Sequence, residues 1–364
     1  MRIDLIAGAR PNFMKISPII DAIQKAQENG ENISFRLIHT GQHFDKNMSE
    51  DFFSQLNIPL PDVNLEAGGG TQAEQTAKIM IGYEKLLLTE DTDMCLVVGD
   101  VTSTMACTIV AKKFNIKVAH VEAGIRSGDH TMPEEINRLV TDSITDYFFT
   151  TSETANDNLR KVGVEENRIF FVGNTMIDTL LKHRSRFVKP QIWKSLGLKD
   201  NFYFIITLHR PGNVDQADKL KGLIQAIIDN SKDLPLVFPV HPRTRQILNN
   251  FGIDNPRLIT VDPLGYLEFN YLVERAKAVI TDSGGITEET TVLGVPCMTI
   301  RANTERPETV SIGTNELLGT NPENIKPAMD RLFKGQWKKG EIPPLWDGAS
   351  AERIVKICVD GNLI

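Results

Sequence analysis

Short apolar runs alternate along this chain with longer stretches in which apolar and polar positions recur at helical spacing. In the first half the runs lie at residues 3–7, 35–39, 94–98, 118–121, 147–151 and 169–172. The rhythm restarts after the polar, basic segment 182–189, with runs at residues 203–208, 236–240, 258–261, 278–281 and 297–300. Such alternation is typical of βα units around a parallel sheet. We therefore predict an α/β protein with two doubly wound, Rossmann-like domains and a final helix over 351–359.

Length and charge narrow the class of partner. A chain of 364 residues is too long for one small core, which favours two domains. Its formal net charge of -7, from 40 basic and 47 acidic side chains, provides no broad positive surface for nucleic acid. This net charge is still compatible with a local pocket that binds an anion. We expect a small-molecule partner and no nucleic acid.

Cysteine usage and hydropathy bear on the compartment. Cys95, Cys107, Cys297 and Cys358 lie in or beside apolar segments without paired or metal-ligand spacing, so we expect reduced core thiols and no metal site. No apolar stretch is long enough to cross a bilayer, and the chain starts directly on a strand pattern. We expect no membrane partner and a cytoplasmic location.

Acidic residues stand where predicted strands meet their loops. Asp100 and Glu122 each follow an apolar run almost at once, and Glu134 lies at a helix start. Open α/β sheets bind ligands at the carboxyl ends of their strands, so these carboxylates are candidate catalytic groups. A single acid there is as often a helix cap, but two after successive strands favour chemistry. His209 ends another apolar run and is a further candidate, with a hydrogen-bonded structural histidine as the alternative.

The turn after the first strand has the features of an anion site. Gly8 lets the backbone approach a ligand, and a helix start bearing Arg10 and Lys15 follows it. The first amide groups of a helix and two fixed positive charges suit a phosphate. Solvated cations on a proline-started helix are the alternative.

A second glycine turn follows the run at 278–281. Ser283, Gly284 and Gly285 lead into a helix, which suits a diphosphate. Glu289, one turn into that helix, is placed to accept both hydroxyls of a ribose, although an acid there also favours the helix dipole. Together the two turns predict a nucleotide-diphosphate ligand bound between the two domains.

At this point the sequence resembles a known family, the UDP-N-acetylglucosamine 2-epimerases, almost from end to end. The motifs that carry the resemblance are Gly8-Ala9-Arg10-Pro11 with Lys15, Val98-Gly99-Asp100, His120-Val121-Glu122-Ala123-Gly124, Pro133-Glu134-Glu135-Ile136-Asn137-Arg138, His209-Arg210, Thr281-Asp282-Ser283-Gly284-Gly285 and Thr304-Glu305-Arg306-Pro307-Glu308. The resemblance implies two Rossmann-like domains facing across a cleft, the GT-B arrangement, with the C-terminal helix crossing back to the first domain. It places the N-terminal domain at 1–172 plus 350–364 and the UDP-binding domain at 173–349.

The resemblance also implies the chemistry. It is cofactor-free inversion at carbon 2 of UDP-N-acetylglucosamine, by anti elimination of UDP to a 2-acetamidoglucal and re-addition to the opposite face. The residues implied for proton transfer are Asp100, Glu122, Glu134 and His209, and close carboxylates are expected to raise one another's pKa. The implied substrate-binding residues are Arg10, Lys15, Arg210, His241, Ser283, Gly284, Gly285, Glu289 and Arg306. A homodimer that supplies a donor for surface polysaccharide is the family expectation.

Two departures from the family pattern keep the substrate open. The loop at residues 66–71 lacks the arginine that, with the segment around His39 and His43, holds an activating second substrate in bacterial members. Pro211-Gly212-Asn213 replaces an Arg-Glu-Asn-like run after His209. The alternatives are a 2-epimerase of a UDP-2,3-diacetamido sugar, including the glucuronic acid form, and a hydrolysing 2-epimerase. A GT-B glycosyltransferase and a non-catalytic sugar-nucleotide sensor are less favoured, because neither needs three acids near the sugar.

Overall fold

The chain folds into two compact units, seen in a computed structural model that describes residues 1–42, 53, 55–214, 216–240, 242–250, 252, 255–360 and 363. Unit 1 comprises Met1–Lys182 and Pro344–Ile364, and unit 2 comprises His183–Pro343. Unit 1 thus extends ten residues past the predicted boundary at 172, because the helix that follows packs on it: Thr179 Oγ1 donates to the carbonyl of Met14 at 2.5 Å. The returning segment begins at Pro344, before the predicted residue 350.

Unit 1 is built on a parallel sheet. Its seven described strands lie in the order β3-β2-β1-β4-β5-β6-β7. They are β1 Arg2–Ala7, β2 Ser34–His39, β3 Val63–Asn64, β4 Met94–Val98, β5 Lys117–Val121, β6 Tyr147–Thr150 and β7 Ile169–Phe171. Every pairing is parallel, and β4 is wholly buried, as expected for strands covered by helices on both faces. The strand order reverses between β1 and β4, which is where doubly wound sheets bind ligands.

Helices cover both faces of this sheet. They are α1 Arg10–Glu28, α2 Gln72–Leu87, α3 Thr102–Lys113, α4 Pro133–Ile144, α5 Glu153–Lys161 and α6 Thr175–Arg184, with a 3₁₀ turn at Glu166–Arg168. α1 buries one apolar face that includes Phe13, Ile16 and Ile20. α2 begins at a capping box in which Thr71 and Glu74 satisfy each other's backbone amides.

Unit 2 repeats the architecture. Its six described strands lie in the order β10-β9-β8-β11-β12-β13, and every pairing is parallel. They are β8 Phe204–Thr207, β9 Leu236–Pro239, β10 Leu258–Val261, β11 Ala278–Thr281, β12 Cys297–Thr299 and β13 Asn315–Leu317. The helices are α7 Gln191–Ser195, α8 Pro211–Val214, α9 Ala217–Asn230, α10 Pro242–Asn250, α11 Tyr266–Arg275, α12 Gly284–Leu293, α13 Pro307–Ser311 and α14 Ile325–Phe333, with a 3₁₀ turn at Pro322–Asn324. Here the strand order reverses between β8 and β11.

The C-terminal helix, α15 Ser350–Val359, belongs to unit 1. Its Ile354 and Val355 are buried, and the Asp178 carboxylate accepts the amide of Ala351 at 2.7 Å in the first turn of the helix. Burial raises the pKa of Asp178 above its ordinary value, even though the bonds from residues 350 and 351 act in the opposite direction. The helix predicted over 351–359 is therefore confirmed.

The two parallel sheets with helices on their faces confirm the prediction of an α/β protein with two Rossmann-like units. The four cysteines are free and buried. In the part of the chain that the structure describes, no helix combines the length and the apolar character that a membrane span needs.

Candidate active site

The β1–α1 junction of unit 1 is closely packed. Asn12, in the first turn of α1, accepts the amides of Gly8 and Ala9 at 3.2 and 2.9 Å and donates to the carbonyl of Val98 at 2.9 Å. A Cβ on Gly8 would lie 2.0 Å from the Ser103 hydroxyl oxygen, so only glycine fits there. These contacts join the ends of β1 and β4 with the starts of α1 and α3.

Lys15 and Glu122 form an ion pair at this junction. Their side chains are 9% and 2% exposed, so both charges are buried and each compensates the other. Glu122 has a φ of 69°, in the left-handed region that a residue with a side chain seldom adopts. Such strain concentrates at functional sites. The pair also lies against Gly99, because a Cβ there would be 3.0 Å from Lys15 Nζ and 3.3 Å from Glu122 Oε2.

Asp100 is held by the arginine of α4. Arg138 Nε donates to Asp100 Oδ2 at 3.1 Å, and its other end donates to Glu135 at 2.6 Å. Asn137 Nδ2 donates to the Asp100 carbonyl at 2.8 Å. Glu135 also accepts the backbone amides of residues 127 and 128, and although burial would raise its pKa, those bonds and Arg138 hold it below its ordinary value. Asp100 is thus fixed by a network that reaches the loop before α4.

Glu134 is exposed in the first turn of α4, whereas its neighbour Glu135 is buried. Successive helical residues point about 100° apart, so the two adjacent acids face different surroundings. The structure thus joins Asp100 to Arg138 and Glu122 to Lys15, while the contact of Glu134 with these acids stays a prediction.

A buried histidine supports the same strand ends. His120 Nδ1 lies 2.7 Å from Asp142 Oδ1, and its Nε2 lies 2.8 Å from the carbonyl of Gly99. Asp142 also pairs with Arg126 at 2.6 Å. Burial would raise the pKa of Asp142, but His120 and Arg126 lower it below its ordinary value. This group holds the turn that carries Asp100.

The segment after β2 contacts the start of α3. Gln42 Oε1 accepts the amide and the hydroxyl of Ser103 at 3.2 and 2.7 Å, and Thr40 Oγ1 lies 2.7 Å from the same hydroxyl. His39 Nδ1 accepts the amide of Gly41 at 2.7 Å. His43 lies outside the described residues.

In unit 2, a buried aspartate organises the end of β8. Asp282 accepts the backbone amides of His209 and Arg210 and a side-chain bond from Asn213, at 3.1, 3.0 and 3.0 Å. Its Oδ1 also lies 2.9 Å from His209 Nδ1. Burial would raise the pKa of Asp282, but the bonds from His209, Asn213 and Arg210 hold it below its ordinary value. The carboxylate is therefore ionised at neutral pH.

Arg210 connects this turn to the start of α12. Its Nε donates to the carbonyl of Asp282 at 3.0 Å, and its NH2 lies 3.4 Å from Glu305 Oε1. A Cβ on Gly284 would lie 3.0 Å from the same Glu305 oxygen. Glu305 is also paired with Arg301 at 2.5 Å; burial would raise its pKa, but Arg301 foremost lowers it to about 2. Arg210 and the amides that begin α12 are thus neighbours, as a phosphate site requires.

The two acids of α12 differ in environment. Glu288 pairs with Arg306 Nε at 2.5 Å, and both side chains are buried. Glu289 is 3% exposed and accepts from Asn270 Nδ2 at 3.5 Å. Burial raises the pKa of Glu289 to about 7, although bonds from Tyr266 and Asn270 lower it in part. Arg306 therefore pairs with Glu288, and its contact with substrate stays a prediction. His241 lies outside the described residues.

Sequence reasoning missed the partners that hold these groups: Asp282, Glu135, Arg138 and Glu305. Asp282 had a usable signal, because it follows a buried strand directly, as the rule that selected Asp100 requires. The others depend on side-chain packing. Among the described residues, no three histidine, cysteine or acidic side chains come together in a way that could hold a metal ion.

A protein with two doubly wound α/β units and acids at its strand ends has clear relatives among known proteins. The profile of the family described as UDP-N-acetylglucosamine 2-epimerase matches residues 25–359. The chain belongs to the UDP-N-acetylglucosamine 2-epimerase family, which confirms the resemblance carried by its motifs.

Individual relatives agree with this. The UDP-N-acetylglucosamine 2-epimerase of Methanocaldococcus jannaschii is 43% identical over 375 residues, covering 100% of both chains. A crystal structure of the Methanocaldococcus jannaschii enzyme in complex with UDP-GlcNAc and UDP has a TM-score of 0.87 at 43% identity, covering 99% of this chain and 100% of the other. The UDP-2,3-diacetamido-2,3-dideoxy-D-glucuronate 2-epimerase of Pseudomonas aeruginosa is 41% identical over 329 residues, or 89% of this chain and 90% of its own.

Proposed function

We propose that this protein catalyses the reversible epimerisation at carbon 2 of UDP-N-acetylglucosamine to UDP-N-acetylmannosamine. The observation that carries the proposal is the pairing of Asp100 and Glu122 with buried cations, at the ends of neighbouring strands in a chain of this family. An elimination needs a base and an acid close to one sugar carbon, and these strand ends supply carboxylates in fixed positions.

The reaction proceeds by elimination and re-addition. A carboxylate takes the carbon 2 proton, the C–H electron pair forms the carbon 1–carbon 2 double bond, and the bond from carbon 1 to the UDP oxygen breaks. UDP leaves with that bonding pair, and a 2-acetamidoglucal remains. UDP then adds back to carbon 1 while a proton is delivered to the opposite face of carbon 2. The proton transfers on the two faces of carbon 2 are shared by coupled groups, which titrate together and so act as a set. These groups are Asp100, Glu122, Glu134 and His209.

UDP recognition falls to the glycine turns and their cations. Arg210 and the first turn of α12, with Ser283, Gly284 and Gly285, would hold the diphosphate and stabilise it as it leaves. The bond from Arg210 Nε to the carbonyl of Asp282, next to this turn, supports the assignment. Arg10 and Lys15 add positive charge at the β1–α1 junction, and Glu289 accepts ribose hydroxyls. Arg306 and His241 complete the proposed substrate contacts.

A second candidate is epimerisation of a UDP-2,3-diacetamido sugar. It is supported by the 41% identity with the Pseudomonas aeruginosa enzyme and by Pro211-Gly212-Asn213, which stands after His209 where many family members have an Arg-Glu-Asn-like run. Hydrolytic release of free N-acetylmannosamine is the remaining variant of the same elimination.

Proton NMR in heavy water tests these outcomes together. UDP-N-acetylglucosamine is incubated with the protein without an acceptor, and the anomeric and carbon 2 signals are followed. We expect UDP-N-acetylmannosamine to appear with deuterium at carbon 2, because the proton returned comes from solvent. Glu134→Gln should abolish this exchange while UDP binding persists. UDP plus free N-acetylmannosamine would replace the proposal by hydrolysis, and an unchanged spectrum would exclude this substrate and lead to the diacetamido sugar.

We further infer a homodimer, a cytoplasmic location and a role in supplying a donor for surface polysaccharide. Four buried free thiols suit a reducing compartment. A monomer in light scattering would contradict the first inference, secretion of the native protein the second, and an unaltered surface polysaccharide after deletion of the gene the third.

A further inference from the structure

The environment of His209 goes beyond what its motif implies. Its side chain is 63% exposed, whereas Asp282 is fully buried, yet the two are joined side chain to side chain at 2.9 Å. We propose that Asp282 is a positioning residue that fixes the proton of His209 on Nδ1 and directs Nε2 toward the substrate. The inference rests on the proposed function only for the role of His209 in the reaction.

The topology of unit 2 creates this contact. β8 and β11 are adjacent and parallel, with Thr207 opposite Thr281, and the amide of Asp282 donates to the carbonyl of Thr207 at 3.2 Å. The residues that leave the two strands are therefore neighbours, and the carboxylate lies under the turn that starts at His209. The strand reversal thus holds a histidine and an acid together.

The donors around Asp282 fix its direction. Oδ2 accepts the amide of Arg210 and the side chain of Asn213, while Oδ1 accepts the amide of His209 and faces Nδ1. An ionised carboxylate can only accept hydrogen bonds, so Nδ1 must carry the ring proton. A neutral imidazole then has Nε2 as its acceptor, the form that a general base requires.

A merely structural aspartate would need only the backbone and Asn213 bonds. The bond to Nδ1 orders an exposed ring and adds no buried apolar contact, so it contributes orientation rather than core stability. The same residue binds both the amide and the guanidinium of Arg210, and the proposed proton-transfer and phosphate-binding groups therefore share one support.

The test combines the tautomer of His209 with kinetics. The protein labelled with ¹⁵N-histidine is examined by long-range proton–nitrogen NMR, and the His209 signal is assigned by its loss in His209→Asn. We expect wild-type His209 to carry its proton on Nδ1. In Asp282→Asn, the amide oxygen in the Oδ2 position keeps the bonds of Arg210 and Asn213 and the 3.2 Å bond from the amide of His209. The amide NH₂ then meets Nδ1, and the ring proton moves to Nε2.

The kinetic arm separates positioning from folding. Asp282→Asn should lower kcat by about 10²–10⁴-fold, as expected when a catalytic histidine holds the wrong tautomer, with the Kd for UDP changed less than about threefold. The matched control is Asn213→Ala, which removes a donor to the same carboxylate but leaves the histidine contact; it should keep the wild-type tautomer and lose less than about tenfold in kcat.

Three results would overturn the proposal. They are a wild-type ring protonated on Nε2, an Asp282→Asn variant with unaltered tautomer and kcat, and parallel loss of kcat and UDP affinity in both variants. The wild-type measurement requires no substitution, so it decides even if Asp282→Asn fails to fold. If the protein does not epimerise the sugar at all, the proposed function fails while the tautomer still reports whether Asp282 positions the ring.

Discussion

The buried acid Glu289 illustrates how one residue can join ligand binding to folding. It lies in α12 beside Tyr266, Asn270 and Glu288, and burial raises its pKa from 4.5 to about 7. A carboxylate that accepts two ribose hydroxyls must be ionised. Glu289 is therefore about half protonated at pH 7, and the ribose contact proposed above requires that this proton be lost when nucleotide binds.

This shift predicts a specific pH dependence of stability. The folded protein binds the proton more tightly than the unfolded chain does, so stability falls as pH rises from 4.5 to about 7 and then levels off. The contribution of Glu289 to this loss is about 3 kcal/mol. Glu289→Gln should not show this loss of stability. Urea unfolding at pH 5 and pH 8 would measure a free energy of unfolding that exceeds that of wild type by more at pH 8 than at pH 5.

The matched control for this measurement is Glu134→Gln, which removes an exposed acid from the other unit. Its unfolding free energy should follow that of wild type at both pH values. Parallel curves for wild type and Glu289→Gln would show that Glu289 titrates normally in the folded protein.

At the residue scale, sequence reasoning placed the acids but not their partners. Asp100 and Glu122 were predictable because each follows a buried strand, and strand ends are legible in the hydrophobic pattern. The phosphate contact of Lys15 stays a prediction, and the structure shows that Lys15 neutralises Glu122. That contact joins residues 107 positions apart, and no local pattern encodes it.

At the scale of elements, the absence of a side chain on Gly8 sets how closely the β1–α1 junction can pack. In the β1–α1 junction, Gly8 approaches Ser103 so closely that an added Cβ would lie 2.7 Å from the Ser103 Cβ. The starts of α1 and α3 can meet only because Gly8 has no side chain.

We therefore predict opposite effects for two glycine-to-alanine changes. Gly8→Ala forces the β1–α1 junction apart and should destabilise unit 1 by about 1–3 kcal/mol. Gly222→Ala, inside α9, meets only the ring of Pro322 at 3.4 Å and should stabilise unit 2 by about 0.5–1 kcal/mol. Thermal unfolding of both variants measures the two effects, and equal shifts of the same sign would contradict the junction argument.

The elements themselves were largely legible in the sequence, because apolar runs of four to six residues stand out against amphipathic helices. Two strands escaped: β3 at Val63–Asn64 and β13 at Asn315–Leu317. Both are edge strands of two or three residues, too short to show a pattern of their own. Pairing with a neighbouring strand defines them, and pairing is a tertiary property.

At the scale of the whole molecule, unit 1 depends on the last helix of the chain. Ile354 in α15 is fully buried, and Glu352 on the same helix pairs with Lys25 of α1 at the surface. The apolar contact rather than the ion pair should hold the helix in place, because exposed ion pairs contribute little.

Two substitutions on α15 test this. Ile354→Ala should destabilise unit 1 by about 2–5 kcal/mol, because it leaves a cavity in a packed interior. Glu352→Gln should leave the unfolding curve unchanged, because it removes only an exposed ion pair with Lys25. Denaturation followed by tryptophan fluorescence measures both variants, with Trp193 and Trp337 of unit 2 replaced by phenylalanine in the background so that the signal comes from Trp346, which is buried in unit 1. A larger loss of stability in Glu352→Gln than in Ile354→Ala would show that the ion pair, rather than the apolar contact, holds α15 in place.

The return of the chain to unit 1 also sets an order of events during synthesis. All of unit 2 is encoded between the two segments of unit 1, so its residues are complete once Pro343 has emerged from the ribosome. Unit 1 must wait for residues 344–364, although its first 182 residues were made earlier. The nascent chain therefore carries an N-terminal unit whose α15-binding surface on α1 is uncovered until residues 344–364 have emerged, and a stop codon before Pro344 would leave that surface exposed to chaperones and proteases.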